Sequence, residues 1–185
     1  MCATTIHPER LKTLYDIPGL MDSGGTLLYV GARLPDGLRG IQELRNAGYA
    51  VTILEIWPDN VRKLLEAGLD AVRGDVCDAA RLFDGARFDV VFRWHGSEHV
   101  EKSELPRVAA GLKGISRRLP VTGCPWGRYE QGEEYGNPHE RHVSHLEPEN
   151  LIAAGLPHTR TYGVGDTGYP GHVTAWWRSN QERKT

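Results

Sequence analysis

From Thr26 to Gly123 the chain repeats one pattern: a short apolar run, then a polar stretch whose hydrophobic residues return every three or four positions. The runs TLLYV (26–30), AVTILEI (50–56), DAVRG (70–74), RFDVVFRW (87–94) and LPVTG (119–123) have the length and character of strands. Between them the spacing predicts helices over 37–47, 58–67, 78–82 and 102–114. Leu38, Ile41 and Leu44 mark the apolar side of the first helix, and Val61, Leu64 and Leu65 that of the second. Near-continuous apolar strands alternating with helices suit a parallel sheet, because such strands are buried on both faces and each connection must cross over the sheet. The expected architecture is α/β, with a layer of helices on each side of a mostly parallel sheet.

The flanks complete this plan. His7 to Ile17 reads as a short helix with Pro8 in its first turn, followed by the turn MDSGG. After Cys124 the rhythm changes to a loop rich in Gly, Pro and His, from Pro125 to His145, and then a helix over Glu147–Ala154. HTRTYGV (158–164) and GHVTAWWR (171–178) are two further strands that would finish the sheet as an antiparallel pair. The 185 residues are expected to form one domain: a helix and turn over 1–25, a core over 26–178 and a polar tail over 179–185. A net charge of −2 gives no broad basic face, and Lys113, Arg117 and Arg118 read as a solvated helix end, so no nucleic-acid partner is expected. No leader or membrane span is visible, and the cysteines Cys2, Cys77 and Cys124 are odd in number and far apart. A reduced, cytoplasmic setting without membrane contact is the expectation, with the terminal strands available to form a homodimer.

In an open α/β sheet, ligands bind beyond the carboxyl ends of the strands. Three features gather there. Gly31 ends the first strand and lets backbone approach a ligand ahead of the next helix. Glu55 ends the second strand, 24 residues after Gly31, where a carboxylate can accept from ribose hydroxyls. Asp75 follows the third, where a carboxylate can meet the exocyclic amine of an adenine. Each has a plainer alternative: a turn glycine, an exposed strand end and a helix cap. Their order on alternating elements favours a nucleotide-type cofactor.

With LLYVGA, ILEIWP, VRGDV, FDVVFRWHGSEHV, VTGCPWG and the closing strand pair, the chain resembles the class I S-adenosylmethionine-dependent methyltransferases from about Thr26 to Arg178. The resemblance implies a three-layer Rossmann-like fold whose seven-stranded sheet is mostly parallel with a reversed last strand. It implies S-adenosyl-L-methionine as cofactor, bound by Gly31, Ala32, Arg33, Glu55, Ile56, Asp75, Val76 and Arg93. The last of these would line the reaction centre with Trp94 and His95. The chain departs from the family pattern at its first turn, where Tyr29 stands for the usual acidic residue and Gly31, Ala32, Arg33, Leu34 and Pro35 replace a loop of closely spaced glycines.

The activity implied is methyl transfer to a small molecule or saccharide, with oxygen as the expected atom. A hydroxyl acceptor must lose a proton, a task suited to histidine near neutral pH. His142 and His95 are the candidate bases, among four histidines on or near this edge that also include His139 and His145. Trp57, Trp94 and Trp126 each follow a predicted strand and offer flat walls for an adenine or an acceptor, or seals for the end of the sheet.

Three other readings share parts of this pattern. A nicotinamide-dependent oxidoreductase would use the same strand, turn and acidic residue, but Arg33 and Asp36 stand where its second and third glycines belong. A binding protein that retains the fold without catalysis is compatible with the altered turn. His95, Gly96, Ser97, Glu98 and His99 match the H-x-x-E-H pattern of inverted zinc peptidases, yet that motif belongs on a helix and here follows a strand. No metal site is therefore expected.

Overall fold

The structure is a computed structural model describing residues 14–22, 24–84, 88–163 and 171–179. Residues 7–13 of the stretch predicted as a helix, Ser23 of MDSGG, Arg87 of RFDVVFRW, the last residue of HTRTYGV and most of the polar tail lie outside the described residues. In chain order the elements are β1 (Gly25–Val30), α1 (Leu38–Asn46), β2 (Tyr49–Glu55), α2 (Pro58–Glu66), β3 (Asp70–Arg73), α3 (Ala79–Leu82), β4 (Phe88–Arg93), α4 (Leu105–Ile115), β5 (Ser116–Pro125), α5 (Pro148–Ala153), β6 (His158–Tyr162) and β7 (His172–Trp176). The strands form one sheet in the order β3-β2-β1-β4-β5-β7-β6. Neighbours from β3 through β5 are parallel, and β7 runs antiparallel to both β5 and β6. This is the α/β, mostly parallel, seven-stranded sheet that the sequence predicts.

The period of two along the strands sorts the core into two layers. Leu27, Tyr29, Ile53, Val90 and Phe92 point to one face, where Ile41 and Leu44 of α1, Leu64 of α2 and the N-terminal Leu14, Ile17 and Leu20 cover them. Leu28, Val30, Leu54, Val91 and Val173 point to the other, under Val108 and Leu112 of α4 and Leu151 of α5. Local signals fix the helix starts: Pro58 and Pro106 occupy first-turn positions, where a missing N–H costs nothing. A reciprocal capping box joins Glu147 and Asn150 at α5. Pro120 is tolerated inside β5 because pairing with β7 begins only at Val121.

Several boundaries and faces differ from expectation. The helix predicted over 102–114 is a 3₁₀ turn, Lys102–Glu104, leading into α4, and β5 is longer than LPVTG because Ser116, Arg117 and Arg118 join it. Leu38 and Leu65, placed on the apolar faces of α1 and α2, are 46% and 54% exposed. With Ile41, Leu44, Val61 and Leu64 already filling the layer, these outer leucines have no space on the sheet. Leu38→Lys should therefore change stability by less than about 0.5 kcal/mol. A larger loss of the urea midpoint would place Leu38 in the core.

Candidate functional site

A cavity of about 340 Å³ opens at the carboxyl edge of the sheet. It lies where strand order turns back between β1 and β4, the place where open α/β sheets take ligands. Gly31 after β1, Glu55 and Ile56 at the end of β2, Asp75 and Val76 after β3, and Arg93 at the end of β4 all line it, as does Arg33. Ala32, expected from the resemblance to meet the cofactor, is not among the residues that line the cavity. Its side chain is 1% exposed and packs in the first core layer, so it offers the cavity no side-chain contact.

Gly31 sits at φ +78°, and a Cβ built on it would meet nothing within 4 Å. The backbone is thus turned so that the missing side chain leaves clear space at the mouth of β1. Its N–H donates to Leu54 O at 2.9 Å, which fixes the turn to β2. Arg33 does not plug the cavity. Its guanidinium is held at the rim by Asp36 Oδ2, with Nη2 at 2.6 Å, and by Glu134 Oε2 at 3.4 Å, and it lies over the ring of Tyr135.

Glu55 is 5% exposed, and its Oε1 accepts from the Trp57 N–H at 2.8 Å. Burial pushes its pKa up to about 7 against the pull of that N–H, and the charge of Glu140 adds to the rise. The carboxyl is consequently poised to ionise near neutrality when further donors reach it. Asp75 fulfils the capping alternative: Oδ1 accepts from Cys77 N at 2.8 Å and starts the 3₁₀ turn Val76–Asp78, while the residue also faces the cavity. Arg93 is buried, donates to Gly96 O, and is held below the usual guanidinium pKa by desolvation.

A second, more polar cavity of about 140 Å³ adjoins the first through Gly31, Arg33, His95, His99 and Glu140. Trp94, Glu98, Tyr129, Gln131 and His142 also line it, with Asp36, Gly37 and Glu134. His95, at φ +46°, turns the chain sharply after β4 into the 3₁₀ turn Ser97–His99. Ser97 Oγ bonds Thr122 Oγ1 at 2.8 Å and ties this turn to β5. The long loop then closes over it: the N–H groups of Val143 and Ser144 both donate to Glu98 O, at 2.9 and 3.0 Å. That clamp brings His142 beside Glu98, although the two are far apart in sequence.

The two predicted bases are placed differently. His95 lines both cavities, whereas His142 faces only the smaller one, with a side chain 3% exposed. Around Glu98 Oε1 stand His95 Nδ1 at 3.4 Å, His99 Nε2 at 3.8 Å and His142 Nε2 at 3.9 Å. Burial pushes the Glu98 carboxyl up and the His99 imidazole down. The H-x-x-E-H segment is a bend and a single 3₁₀ turn just beyond the end of β4, not the helix that a peptidase uses. His139 reaches the larger cavity, with its ring edge-on to Trp57, and His145 lines neither cavity. Trp94 is buried and stacked on His172 at 4.0 Å between ring centres. Trp57 and Trp126 line neither cavity, and the Trp126 indole donates to Glu147 instead.

No family model and no curated protein matches the chain. Solved structures do. A S-adenosylmethionine-dependent methyltransferase from Archaeoglobus fulgidus superposes with a TM-score of 0.62 at 14% identity, over 92% of this chain and 93% of the other. The CcbJ methyltransferase of Streptomyces caelestis gives 0.65 at 13% identity, over 94% and 91%. The fold is that of the class I methyltransferases. A structure described as a putative zinc-dependent alcohol dehydrogenase from Rhodobacter sphaeroides also superposes, with a TM-score of 0.68 at 11% identity over 95% and 92% of the two chains. At such identities the likeness concerns architecture, and the reversed β7 between β5 and β6 is the feature of this class I sheet that the sequence anticipated. Among the described residues, no helix is long and apolar enough to cross a membrane.

Proposed function

We propose that the protein transfers a methyl group from S-adenosyl-L-methionine to a hydroxyl of a small molecule or saccharide. The observation that carries this reading is the pairing at one sheet edge of the clear space at Gly31 with the buried acceptor Glu55. The larger cavity has the volume of a nucleoside-sized site. Glu55 suits ribose hydroxyls, Ile56 and Val76 suit the flat faces of a purine, and Asp75 suits its amine. Gly31 gives backbone room for the methionine part, and Arg33, at the shared rim, can meet its carboxylate. When bound, the cofactor supplies an already activated methyl group, so the protein's task is alignment and proton removal.

The smaller cavity supports the acceptor side. It is polar and narrow, and it meets the larger one at His95. In this reading His95 takes the hydroxyl proton, because it is the candidate base on the wall common to both cavities. His142 lies deeper and helps hold the acceptor.

Calorimetric titration of the full chain with S-adenosylhomocysteine tests the cofactor without knowledge of the acceptor. One equivalent should bind in the micromolar range, and absence of binding removes the methyl-transfer reading. His95→Asn retains a residue tolerant of positive φ. It should lower turnover by at least about 100-fold on hydroxylated acceptors while S-adenosylhomocysteine still binds. Unchanged turnover would take His95 out of the base role.

A further inference from the structure

The Glu98 carboxylate is 2% exposed, and neither oxygen has a hydrogen-bond partner. A buried carboxylate is rarely left so, because desolvation without compensation costs several kcal/mol. Buried Arg93 supplies a nearby positive charge, but neither it nor the facing imidazoles give the carboxylate a hydrogen bond. His99 Nδ1 lies 3.0 Å from Arg141 O, and His142 Nδ1 lies 2.8 Å from Tyr129 O. A carbonyl only accepts, so each Nδ1 carries a hydrogen, and the neutral tautomer of each ring turns its Nε2 lone pair inward. In that tautomer two lone pairs and a carboxylate converge on one point.

Their spacing is also informative. Glu98 Oε1 stands 3.8 and 3.9 Å from the two Nε2 atoms, and the three ligand atoms lie within 4.8 Å of one another. These separations are too long for hydrogen bonds. The two carboxylate–imidazole separations approach the roughly 3.4 Å between ligands that share a tetrahedral ion at bond lengths of about 2.1 Å, and a bound ion would draw the three atoms together. Backbone carbonyls on the outer ring nitrogens are the arrangement that fixes tautomer and orientation in metal-bound imidazoles.

We propose that Glu98, His99 and His142 form a binding site for a divalent first-row transition cation, with Zn²⁺ the best chemical fit, at the floor of the smaller cavity. Two imidazoles and one carboxylate disfavour Mg²⁺ and Ca²⁺, which take oxygen shells. His95, with Nδ1 3.4 Å from Glu98 Oε1, stands beside a fourth position. The non-helical H-x-x-E-H segment supplies only two of the three ligands, Glu98 and His99. The third ligand comes instead from the distant loop. The site does not depend on the methyl-transfer reading, since its ligands are set by the turn and the loop alone.

Full-length protein stripped with chelator and titrated with ZnCl₂ near neutral pH should bind one equivalent with a dissociation constant of about 1 µM or tighter, and MgCl₂ should give no such binding. Glu98→Gln and His142→Ala should each weaken Zn²⁺ by at least about 100-fold. His158→Ala, on the exposed edge strand β6, should leave it unchanged. Co²⁺ loading gives a second readout: visible bands that are present in the wild type and absent from either ligand variant. Failure of the wild type to bind one equivalent of Zn²⁺, or equal affinity in the ligand variants, overturns the site. S-adenosylhomocysteine titration of the same metal-free protein is read separately, so loss of one result does not carry the other with it.

Discussion

Gly31→Leu should weaken S-adenosylhomocysteine binding by at least about 100-fold, roughly 3 kcal/mol, while the protein stays folded. Two costs must be separated. At φ +78° any side chain with a Cβ is strained, by about 1–2 kcal/mol, and that cost falls on stability. The second cost falls on the ligand: a Cβ at Gly31 meets no protein atom, so an isobutyl group would occupy the cavity and not the core. Gly31→Ala carries the same backbone strain with a single methyl. It should lower the melting temperature about as much as Gly31→Leu but spare most of the affinity. Equal, full affinity in both variants would show that no ligand passes this turn.

The second large effect is a pH dependence centred on Glu55. Its pKa is about 7 in the folded protein, against 4.5 for an unperturbed glutamate. Between these values the folded protein keeps a proton that the unfolded chain has released, so stability falls as pH rises through that window. The contribution is up to about 3 kcal/mol, fully present below pH 4.5 and lost above pH 7. Glu55→Gln keeps an acceptor for the Trp57 N–H and removes the titration. Urea midpoints measured across the window should therefore fall more steeply in the wild type than in Glu55→Gln. Other groups that titrate there are common to both proteins and cancel in the difference. Ligand binding has the opposite slope. Hydroxyl donors stabilise the ionised carboxylate, so affinity for S-adenosylhomocysteine should drop as pH falls below 7, approaching tenfold per unit. In Glu55→Gln that slope should vanish, with affinity lower by about 1–3 kcal/mol at neutral pH. A wild-type slope that persists in Glu55→Gln would assign the proton to another group.

The strand runs, the helices between them and their order are written locally. The period of two that sends Leu27 and Tyr29 to one layer and Leu28 and Val30 to the other depends on each residue's immediate neighbours. So does the placing of Gly31, Glu55, Asp75 and Arg93 at strand ends, because a parallel sheet collects those ends on one edge. The sequence by itself therefore determined the α/β class, the reversed strand and the edge at which ligands are taken. Tertiary structure decided what local pattern cannot carry. Ala32 turns into the core and Leu38 out of it according to how much room the neighbouring elements leave. Arg33 is drawn to the rim by Asp36 and by Glu134, a residue of the distant loop. His142 meets Glu98 because backbone N–H groups of that same loop clamp the Glu98 carbonyl, and His95 at positive φ aims the turn beneath. A pairing made by loop closure leaves no periodic trace, since it rests on two backbone conformations that fit only when the sheet is already built.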